Sequence, residues 1–543
     1  MSSTTGSPPS TPSPRRWSAF LNTFIVAGSY LLSRVLGLIR DIIIASQFGT
    51  SLDLSAYRAA FGVLDIVYLV IAGGALGSAF IPVFAAFLTK QRQEDAWRLA
   101  SSVLNVILVG LLVTCVLIAI FAQPLVALTV ARGFDPENQA LTAQLLRMLL
   151  IQPVLLGIGG LAKATLESFD RFALPAIGSN LYNLGIIGGA LLAPIFGIGI
   201  FGLVWGVIGG ALLFLIIQIP GLITVGARYT PTFRLNTPGL WQVARLLGPR
   251  LFGQSAWQIN LIVIISFASV VGEQAAAANA YAFQLMLLPH GLVALSLGTV
   301  LFPQLARHFA DGNIDTLREI VLSGIRSVLF LALPAAVLLG MLRVPLIELL
   351  FQRGDFTGAS TMLTAEALGF YAIGLAAFAA SEIIVRTFYA MQDTLTPVLV
   401  VVVTVVVNIT LAWLLLEFGL AGLALAFSLA NVLEMIILLI ISRQRLGAFG
   451  AGFWRAVGSM AIATLAVGGA LLALLTVSTP QLPFLQSALI YQWPNDFAML
   501  GLWLACAFGI SSVVYGGITA LFGLSEVATT WQQLQGIVAR LRR

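Results

Sequence analysis

Apolar runs long enough to cross a lipid bilayer recur along almost the whole chain, separated by glycine, proline or charge clusters. A helix needs about 20 apolar residues to span the hydrocarbon core, so these runs predict transmembrane helices. The chain is only 9% charged, whereas soluble domains carry about 25% charged residues. We therefore predict an all-α polytopic membrane protein with 14 transmembrane helices, at 17–45, 54–87, 96–122, 140–168, 173–194, 199–225, 245–271, 275–309, 317–343, 360–391, 396–416, 420–443, 452–477 and 496–523.

Few residues suit metal, redox or nucleotide chemistry. Cys115 and Cys506 are the only cysteines, and their position in separate apolar runs predicts neither a disulfide framework nor a zinc site. No P-loop occurs, so any transport by this chain is expected to draw its energy from the membrane potential or from a gradient of Na⁺ or H⁺. We expect no cofactor and no bound metal. The net charge of +6 does not indicate nucleic acid, because the basic residues lie in loops at one membrane face.

Alternate loops differ in their content of lysine and arginine. One set is rich in both, and the positive-inside rule places that set and both termini in the cytoplasm. An even number of spans fits this placement. The basic set contains Arg15/Arg16, Lys90/Arg92, Arg171, Arg228/Arg234, Arg307, Arg443/Arg445 and Arg540/Arg542/Arg543.

The two halves of the chain share landmarks in one register. Pro82 and Pro303 are 221 residues apart, as are the Arg-Gly pairs that begin at Arg132 and Arg353. Phe196-Gly197 and Phe418-Gly419 follow at 222. A repeat of six spans enters the membrane twice from the same side, which predicts two parallel six-helix repeats around a central site. The last two spans have no partner and form an appended helix pair.

The repeat sets the predicted domain boundaries. The segments are a disordered cytoplasmic tail at 1–16, an N lobe at 17–226, an interfacial cytoplasmic linker at 227–244, a C lobe at 245–443, the appended pair at 444–523 and a cytoplasmic C-terminal tail at 524–543.

The first span carries Arg34, Arg40 and Asp41 within its apolar sequence. A charged residue in a membrane helix costs about 3 kcal/mol on insertion scales, so such groups usually face water or protein. We therefore expect a polar cavity inside the bundle. Two arginines in its wall favour a transporter with an anionic cargo.

Several stretches resemble the MurJ (MviN) lipid II flippases of the multidrug/oligosaccharidyl-lipid/polysaccharide exporter superfamily. The most specific are Phe351-Gln352-Arg353-Gly354 with Phe356-Thr357, and Phe388-Tyr389-Ala390 with Gln392-Asp393-Thr394. Ser33-Arg34-Val35-Leu36-Gly37 and Arg171-Phe172-Ala173-Leu174-Pro175 match as well. The resemblance runs from about Trp17 to about Ala520. It implies fourteen helices, two lobes, an appended pair and a polyprenyl-pyrophosphate-linked saccharide as cargo.

The chain departs from that family in the second and eighth spans. Where many members carry cavity charges, this sequence has Tyr68, Leu69, Gly73 and Gln284. Of the usual cations, Arg34 and Arg40 remain. The departures concern the identity of the cargo and the strength of pyrophosphate binding rather than the fold.

The candidate substrate-binding residues are Arg34, Arg40, Asp41, Arg58, Gln258 and Gln284. A guanidinium matches phosphate oxygens as a planar fork, so Arg34 is expected to bind pyrophosphate; the alternative is an ion pair with Asp41 or Glu167. Arg40 could instead snorkel to the interface, and Arg58 could snorkel or pair with Asp53. Gln258 belongs to a polar stripe with Gln254, Ser255 and Asn260, which could join helices or bind sugar.

The candidates for ion coupling or gating are Asp65, Glu382, Asn408, Arg386 and Asp393. Asp65 could bind a proton or a cation, or pair with Arg34 or Arg58. A carboxylate inside a span, such as Glu382, is a functional candidate by default, although an i, i+4 pair with Arg386 is the structural alternative. Arg386 and Asp393 lie near the cytoplasmic end and are expected to organise a gate.

The leading function is an alternating-access flippase that moves lipid II from the inner to the outer leaflet of the cytoplasmic membrane. The alternatives are an exporter of another polyprenyl-linked glycan or of cationic drugs, a membrane-embedded transferase and a non-transporting scaffold. Membrane lipids are expected partners. The protein is expected to be a monomer, with transient contact to cell-wall synthases.

Overall fold

The structure is a computed structural model that describes residues 14–71, 75–231, 236–478, 497–524 and 526. Throughout these ranges the regular secondary structure is helical, and none of their residues forms a β-strand, which confirms the predicted all-α class. Most of the tail predicted at 1–16, most of the C-terminal tail predicted at 524–543, Gly73 and the side chains of Tyr68, Leu69, Gln254 and Ser255 lie outside the described part.

Twenty α-helices make up the described chain. In chain order they are α1 (Pro14–Phe48), α2 (Leu52–Ile71), α3 (Ala75–Thr89), α4 (Gln93–Ile120), α5 (Ala122–Leu128), α6 (Pro136–Leu149), α7 (Ile151–Glu167), α8 (Ala173–Phe196), α9 (Phe201–Ile216), α10 (Ile219–Thr224), α11 (Leu240–Val271), α12 (Ala275–His290), α13 (Ser296–Ala310), α14 (Ile314–Met341), α15 (Arg343–Phe351), α16 (Gly358–Ala390), α17 (Leu395–Leu414), α18 (Gly419–Leu446), α19 (Ala451–Ser478) and α20 (Phe497–Leu521). A π-helical turn, Gly291–Leu295, joins α12 to α13.

Each predicted span coincides with one helix or with consecutive helices. Within the described residues, eleven such units are long and apolar enough to cross a membrane, as judged by length and composition. The other three predicted spans correspond to α1, α2–α3 and α11, which include or adjoin residues outside the description. The number fourteen therefore stays a prediction. Helix α1 already includes Pro14, the first described residue, three residues before the predicted start of the span.

The predicted repeat is visible in helix boundaries. Helix α4 and helix α14 begin 221 residues apart and end 221 residues apart. The turns repeat as well, because left-handed backbone conformations occur at equivalent positions. The pairs are Gln91 (φ 58°) with Gly312 (69°), Asp170 (58°) with Gln392 (61°), and Gly197 (64°) with Gly419 (63°).

The chain forms two compact units. The first contains residues 1–44, 64–121 and 145–254, and the second contains residues 45–63, 122–144 and 255–543. Residues 45–63 and 122–144, which belong to the predicted N lobe, thus fall in the second unit. The boundaries of the two lobes stay a prediction. In the first unit, glycines let α8 and α9 approach closely: a Cβ added to Gly185 would overlap the backbone of Gly210. Such small-residue contacts are a common way to pack membrane helices.

The described part of the predicted linker is attached to α4 in the first unit. The Tyr229 hydroxyl donates to Asn105 Oδ1 at 2.8 Å, and the Thr230 N–H donates to Ser101 Oγ at 3.0 Å. These hydrogen bonds fix the segment that enters α11.

Candidate transport site and ion-pair network

Arg40 is anchored within the first unit. Its guanidinium pairs with neighbouring Asp41 at 3.1 Å, and its Nη1 donates to Asn183 Oδ1 of α8 at 3.1 Å. Asn183 Nδ2 in turn donates to Ser33 Oγ at 3.2 Å. Asp41 is buried, so its charge needs this partner. The network ties α1 to α8 and leaves Arg40 partly exposed.

Arg34 lies on the same helix but is exposed. No described residue forms an ion pair or hydrogen bond with its side chain. The alternatives weighed from sequence are occupied elsewhere, because Asp41 pairs with Arg40 and Glu167 lies 3.9 Å from Lys163. An exposed guanidinium inside a membrane helix can present its fork to an external anion.

Arg58 and Asp65 share α2 but belong to different compact units. The Arg58 guanidinium lies over the Tyr281 ring, 5.5 Å from its centroid, in a cation–π arrangement. Asp65 is exposed. Arg58 thus takes part in packing of the second unit.

A charged cluster connects α16, α13 and α18 in the second unit. Glu382 Oε1 accepts from Arg386 Nε at 2.7 Å, the i, i+4 pair that the sequence raised as an alternative. Arg386 Nη1 also donates to Thr299 Oγ1 at 2.9 Å. Glu434 of α18 is buried and close enough to Glu382 to interact electrostatically. The cluster therefore contains two carboxylates and one guanidinium, which we name the acidic cluster: Glu382, Arg386 and Glu434.

Asn408 is buried and joins α17 to α11. Its Nδ2 donates to Asn260 Oδ1 at 2.8 Å, whereas its own Oδ1 is buried with no hydrogen-bond partner among the described residues. Gln258 is also buried, and Gln284 is half-buried. The polar stripe on α11 thus contributes at least one helix-joining contact.

Two loop glycines meet helix ends within the second unit. A Cβ added to Gly354 would overlap the backbone oxygen of Ser46 near the end of α1, and a Cβ added to Gly133 would overlap that of Ser269 near the end of α11. The Asp355 N–H donates to Ser46 O at 2.9 Å, and the Gly133 N–H donates to Ser269 Oγ at 3.1 Å. We name these four residues, Ser46, Gly133, Ser269 and Gly354, the glycine seam.

The glycine seam follows the internal repeat. Gly133 and Gly354 are equivalent, and each contacts the first long helix of the other half of the sequence. Ser55 Oγ also accepts a hydrogen bond from the N–H of Ala277, which follows Ala276, the counterpart of Ser55 at an offset of 221 residues. Contact between residues this close to equivalence is what a pseudo-twofold axis between the two halves produces.

Asp393 lies in the loop between α16 and α17. Its Oδ1 accepts from the Thr396 N–H at 3.0 Å, its Oδ2 accepts from the Thr396 hydroxyl at 2.7 Å, and Arg445 Nη2 lies 2.9 Å from Oδ2. The backbone hydrogen bond from Thr396 is the main reason that the pKa of Asp393 lies below its ordinary value. Asp393 thus caps α17 and ties its start to the end of α18.

Asp393→Ala is expected to lower stability by about 1 kcal/mol, the usual cost of losing a helix cap. A depressed native pKa means that the ionised carboxylate stabilises the fold above the ordinary aspartate pKa. This contribution is lost as pH falls through the lowered value. The melting temperature of the purified chain and of Asp393→Ala, measured between neutral and acid pH, should therefore converge at the acid end. A difference independent of pH would contradict the assignment.

Sequence reasoning missed Glu434 as a member of the acidic cluster. The signal was available, because Glu434 interrupts the apolar run of the twelfth predicted span and a carboxylate at such a depth is a functional candidate. It also missed the Tyr371 hydroxyl that donates to Asn279 Oδ1 at 2.8 Å. Within the described residues, no group of three or more His, Cys, Asp or Glu side chains could hold a metal ion.

Repeated helical halves with charged groups inside the spans define a multi-pass membrane transporter. A family model described as lipid II flippase MurJ matches residues 44–492. The chain therefore belongs to the MurJ lipid II flippase family, and the resemblance stated from sequence is confirmed.

Curated relatives agree with this assignment. The probable lipid II flippase MurJ of Buchnera aphidicola subsp. Acyrthosiphon pisum is 31% identical over 412 residues, which cover 75% of this chain and 80% of the relative. Lipid II flippase MurJ of Burkholderia cenocepacia is 31% identical over 428 residues, covering 77% and 83%. The protein is thus a multi-pass bacterial membrane protein.

Solved structures show the same fold. A lipid II flippase MurJ in an inward closed conformation aligns with a TM-score of 0.74 at 24% identity, covering 91% of this chain and 98% of that one. An inward-facing multidrug resistance MATE transporter aligns with a TM-score of 0.63 at 17% identity, covering 76% and 94%.

Proposed function

We propose that this protein is a lipid II flippase, which carries the lipid-linked peptidoglycan precursor from the inner to the outer leaflet of the cytoplasmic membrane. The observation that carries the proposal is Arg34, an exposed guanidinium on an apolar helix of a MurJ family member. Alternating access moves the head group through the protein while the polyprenyl tail stays in lipid. The chain acts as a transporter and uses no nucleotide hydrolysis.

Arg34 serves as the pyrophosphate anchor in this mechanism. Its fork donates two parallel hydrogen bonds to phosphate oxygens, and the low dielectric strengthens them. Arg40, held by Asp41 and Asn183, keeps α1 in a fixed position against α8 and adds positive potential nearby. Asp41 therefore acts through Arg40 rather than on the cargo.

The two ends of the protein open in turn. With both termini in the cytoplasm, the glycine seam lies at the outer face and acts as the outer gate. The Asp393–Arg445 pair lies at the cytoplasmic face. Backbone-to-backbone contact through glycine closes a pathway tightly, yet relies on few hydrogen bonds, so it can separate during each cycle.

The acidic cluster supplies the coupling site. A buried carboxylate, Glu434, beside a second carboxylate that is already paired with Arg386 favours uptake of a proton or Na⁺, because like charges in low dielectric repel each other. Ion binding there changes the Arg386 contact with Thr299 and so the packing of α16 against α13. Membrane potential adds to the driving force through the charge that moves.

Glu434→Gln is expected to leave folding intact and to remove the acceleration of flipping by the coupling ion. The flipping rate with an imposed gradient, divided by the flipping rate without it, should fall to about one. The remaining carboxylate, Glu382, is already paired with Arg386 and so does not favour binding of a further cation. Proteoliposomes with separately imposed pH, Na⁺ and potential gradients measure that ratio. The control is Glu417→Gln, an exposed carboxylate outside the cluster. An unchanged ratio for Glu434→Gln under all three gradients would exclude the coupling role.

A second candidate is export of another polyprenyl-linked glycan or of cationic drugs. The exposed Asp65 and the absence of family cations at Tyr68, Leu69, Gly73 and Gln284 favour it. A cationic cargo would use Asp65, whereas an anionic one would use Arg34.

The protein works as a monomer and makes transient contact with cell-wall synthases.

The deciding experiment is depletion of the lipid II flippase in a bacterial host that expresses this chain. We expect growth and cell shape to be rescued, and purified protein to flip lipid II in proteoliposomes. Flipping of a different polyprenyl-linked glycan with no flipping of lipid II would favour the second candidate. A correctly inserted chain that neither rescues nor flips lipid II would overturn the proposal.

A further inference from the structure

A groove of about 640 Å³ lies between the start of α15 and the first turns of α16 in the second unit. One stripe of α16 forms its wall, with Met362, Glu366, Gly369, Phe370 and Ile373 at i, i+4, i+7, i+8 and i+11 spacing. Apart from Glu366, this stripe is apolar. None of its lining residues belongs to the acidic cluster or to the glycine seam.

Two opposite charges mark one end of the groove. Arg343 begins α15 immediately after α14, and its Nη1 donates to Gly340 O at 2.6 Å, which fixes the guanidinium at the end of that helix. Glu366 is exposed and lies eight residues into α16, about 12 Å along its axis. No charged residue follows on α16 until Glu382. Arg343 thus follows the end of α14, Glu366 lies about two turns inside α16, and the lining that follows Glu366 on α16 (Gly369, Phe370 and Ile373) is apolar.

This arrangement matches the chemistry of a phospholipid. A lipid carries its charges at one end and its acyl chains at the other, as the groove does. An anionic head group would meet Arg343 but would be repelled by Glu366, whereas a head group with both a phosphate and a primary ammonium complements both residues. The Arg343 side chain packs directly on Gly369, where an added Cβ would meet its Cδ at 3.0 Å, so the glycine lets the guanidinium reach α16 beside the apolar residues Phe370 and Ile373.

We propose that this groove is a binding site for a phosphatidylethanolamine-type phospholipid, with Arg343 on the phosphate, Glu366 on the ammonium and an acyl chain along Phe370 and Ile373. It links the lipid composition of the membrane to the position of α16, the helix that also carries Glu382 and Arg386.

Native mass spectrometry of the delipidated full chain tests the site with equimolar phosphatidylethanolamine and phosphatidylglycerol. We expect the chain to retain one phosphatidylethanolamine molecule and to prefer it over phosphatidylglycerol by about tenfold. One charge-assisted hydrogen bond changes a binding constant by about that factor. Glu366→Gln should abolish the preference, and Gly369→Leu should abolish retention by filling the groove. Glu319→Gln, an exposed carboxylate on α14 outside the groove, should behave as the natural chain.

Equal retention of the two lipids by the natural chain would overturn the proposal, as would an unchanged preference in Glu366→Gln. Glu366 is exposed, so its replacement leaves the core intact even if Arg343 variants fail to fold. The measurement reads lipid retention and is therefore independent of whether lipid II is the cargo.

Discussion

Arg34→Ala should abolish rescue of a lipid II flippase-depleted host, while the variant inserts and folds at least as well as the natural chain. Removal of a charge from a membrane helix saves about 3 kcal/mol of insertion cost, so no loss of stability is expected. The loss of two charge-assisted hydrogen bonds to pyrophosphate should weaken binding on the order of 100-fold. Arg34→Lys keeps the charge without the fork and should retain part of the activity.

Lipid II binding and flipping in proteoliposomes provide the direct measurement for Arg34. Arg98→Ala is the matched control, because Arg98 is an exposed arginine that pairs only loosely with Glu94, at 3.7 Å. Full rescue by Arg34→Ala, at equal protein level, would show that the pyrophosphate is bound elsewhere. Loss of activity in both variants would instead point to a general effect of charge.

Gly354→Ala should prevent closure of the glycine seam and reduce flipping by at least about tenfold. The new Cβ would overlap the backbone oxygen of Ser46, and Gly354 has φ of 57°, a conformation that costs other residues about 1–2 kcal/mol. Neither cost is relieved by a side-chain rotation. Gly133→Ala should have a similar effect through the backbone of Ser269.

Thiol labelling reports directly on the seam. Thr50 is buried, and its hydroxyl lies 2.8 Å from the hydroxyl of Ser360. Thr50→Cys in a Cys506→Ser background therefore places a thiol at a buried position. Labelling should be slow in the natural background and fast with Gly354→Ala. Gly358→Ala is the control, since an added Cβ there meets no atom within 4 Å. Slow labelling together with full activity in Gly354→Ala would contradict the gating role.

The sequence predicted the fold well because its signals are local and repeated. Apolar length alone located the helices, and the 221–222 register anticipated equivalent turns such as Asp170 and Gln392. The Arg-Gly pairs marked the repeat. Their close contact with Ser46 and Ser269 depends on how distant segments pack, and no local pattern encodes it.

The candidate site was predictable only in part, for the same reason. Arg40 could pair with Asp41 on its own helix, but its bond to Asn183 depends on the packing of α8. Glu382 and Arg386 are four residues apart and their pair was foreseen. Glu434 lies 52 residues from Glu382, and only the packing of α18 on α16 brings these carboxylates together.

The contact between Ser55 and Ala277 bears on the ancestry of the chain. In a homodimer of a single six-helix unit, a contact between near-equivalent residues would occur twice, once on each side of the symmetry axis, so any added bulk would be counted twice. Duplication and fusion free the two halves to differ, yet both residues remain small here. A hydroxyl in one half can then accept a backbone hydrogen bond from the other without needing a reciprocal partner. The fused gene thereby permits an asymmetric contact near the axis, which two identical subunits would have to make in duplicate.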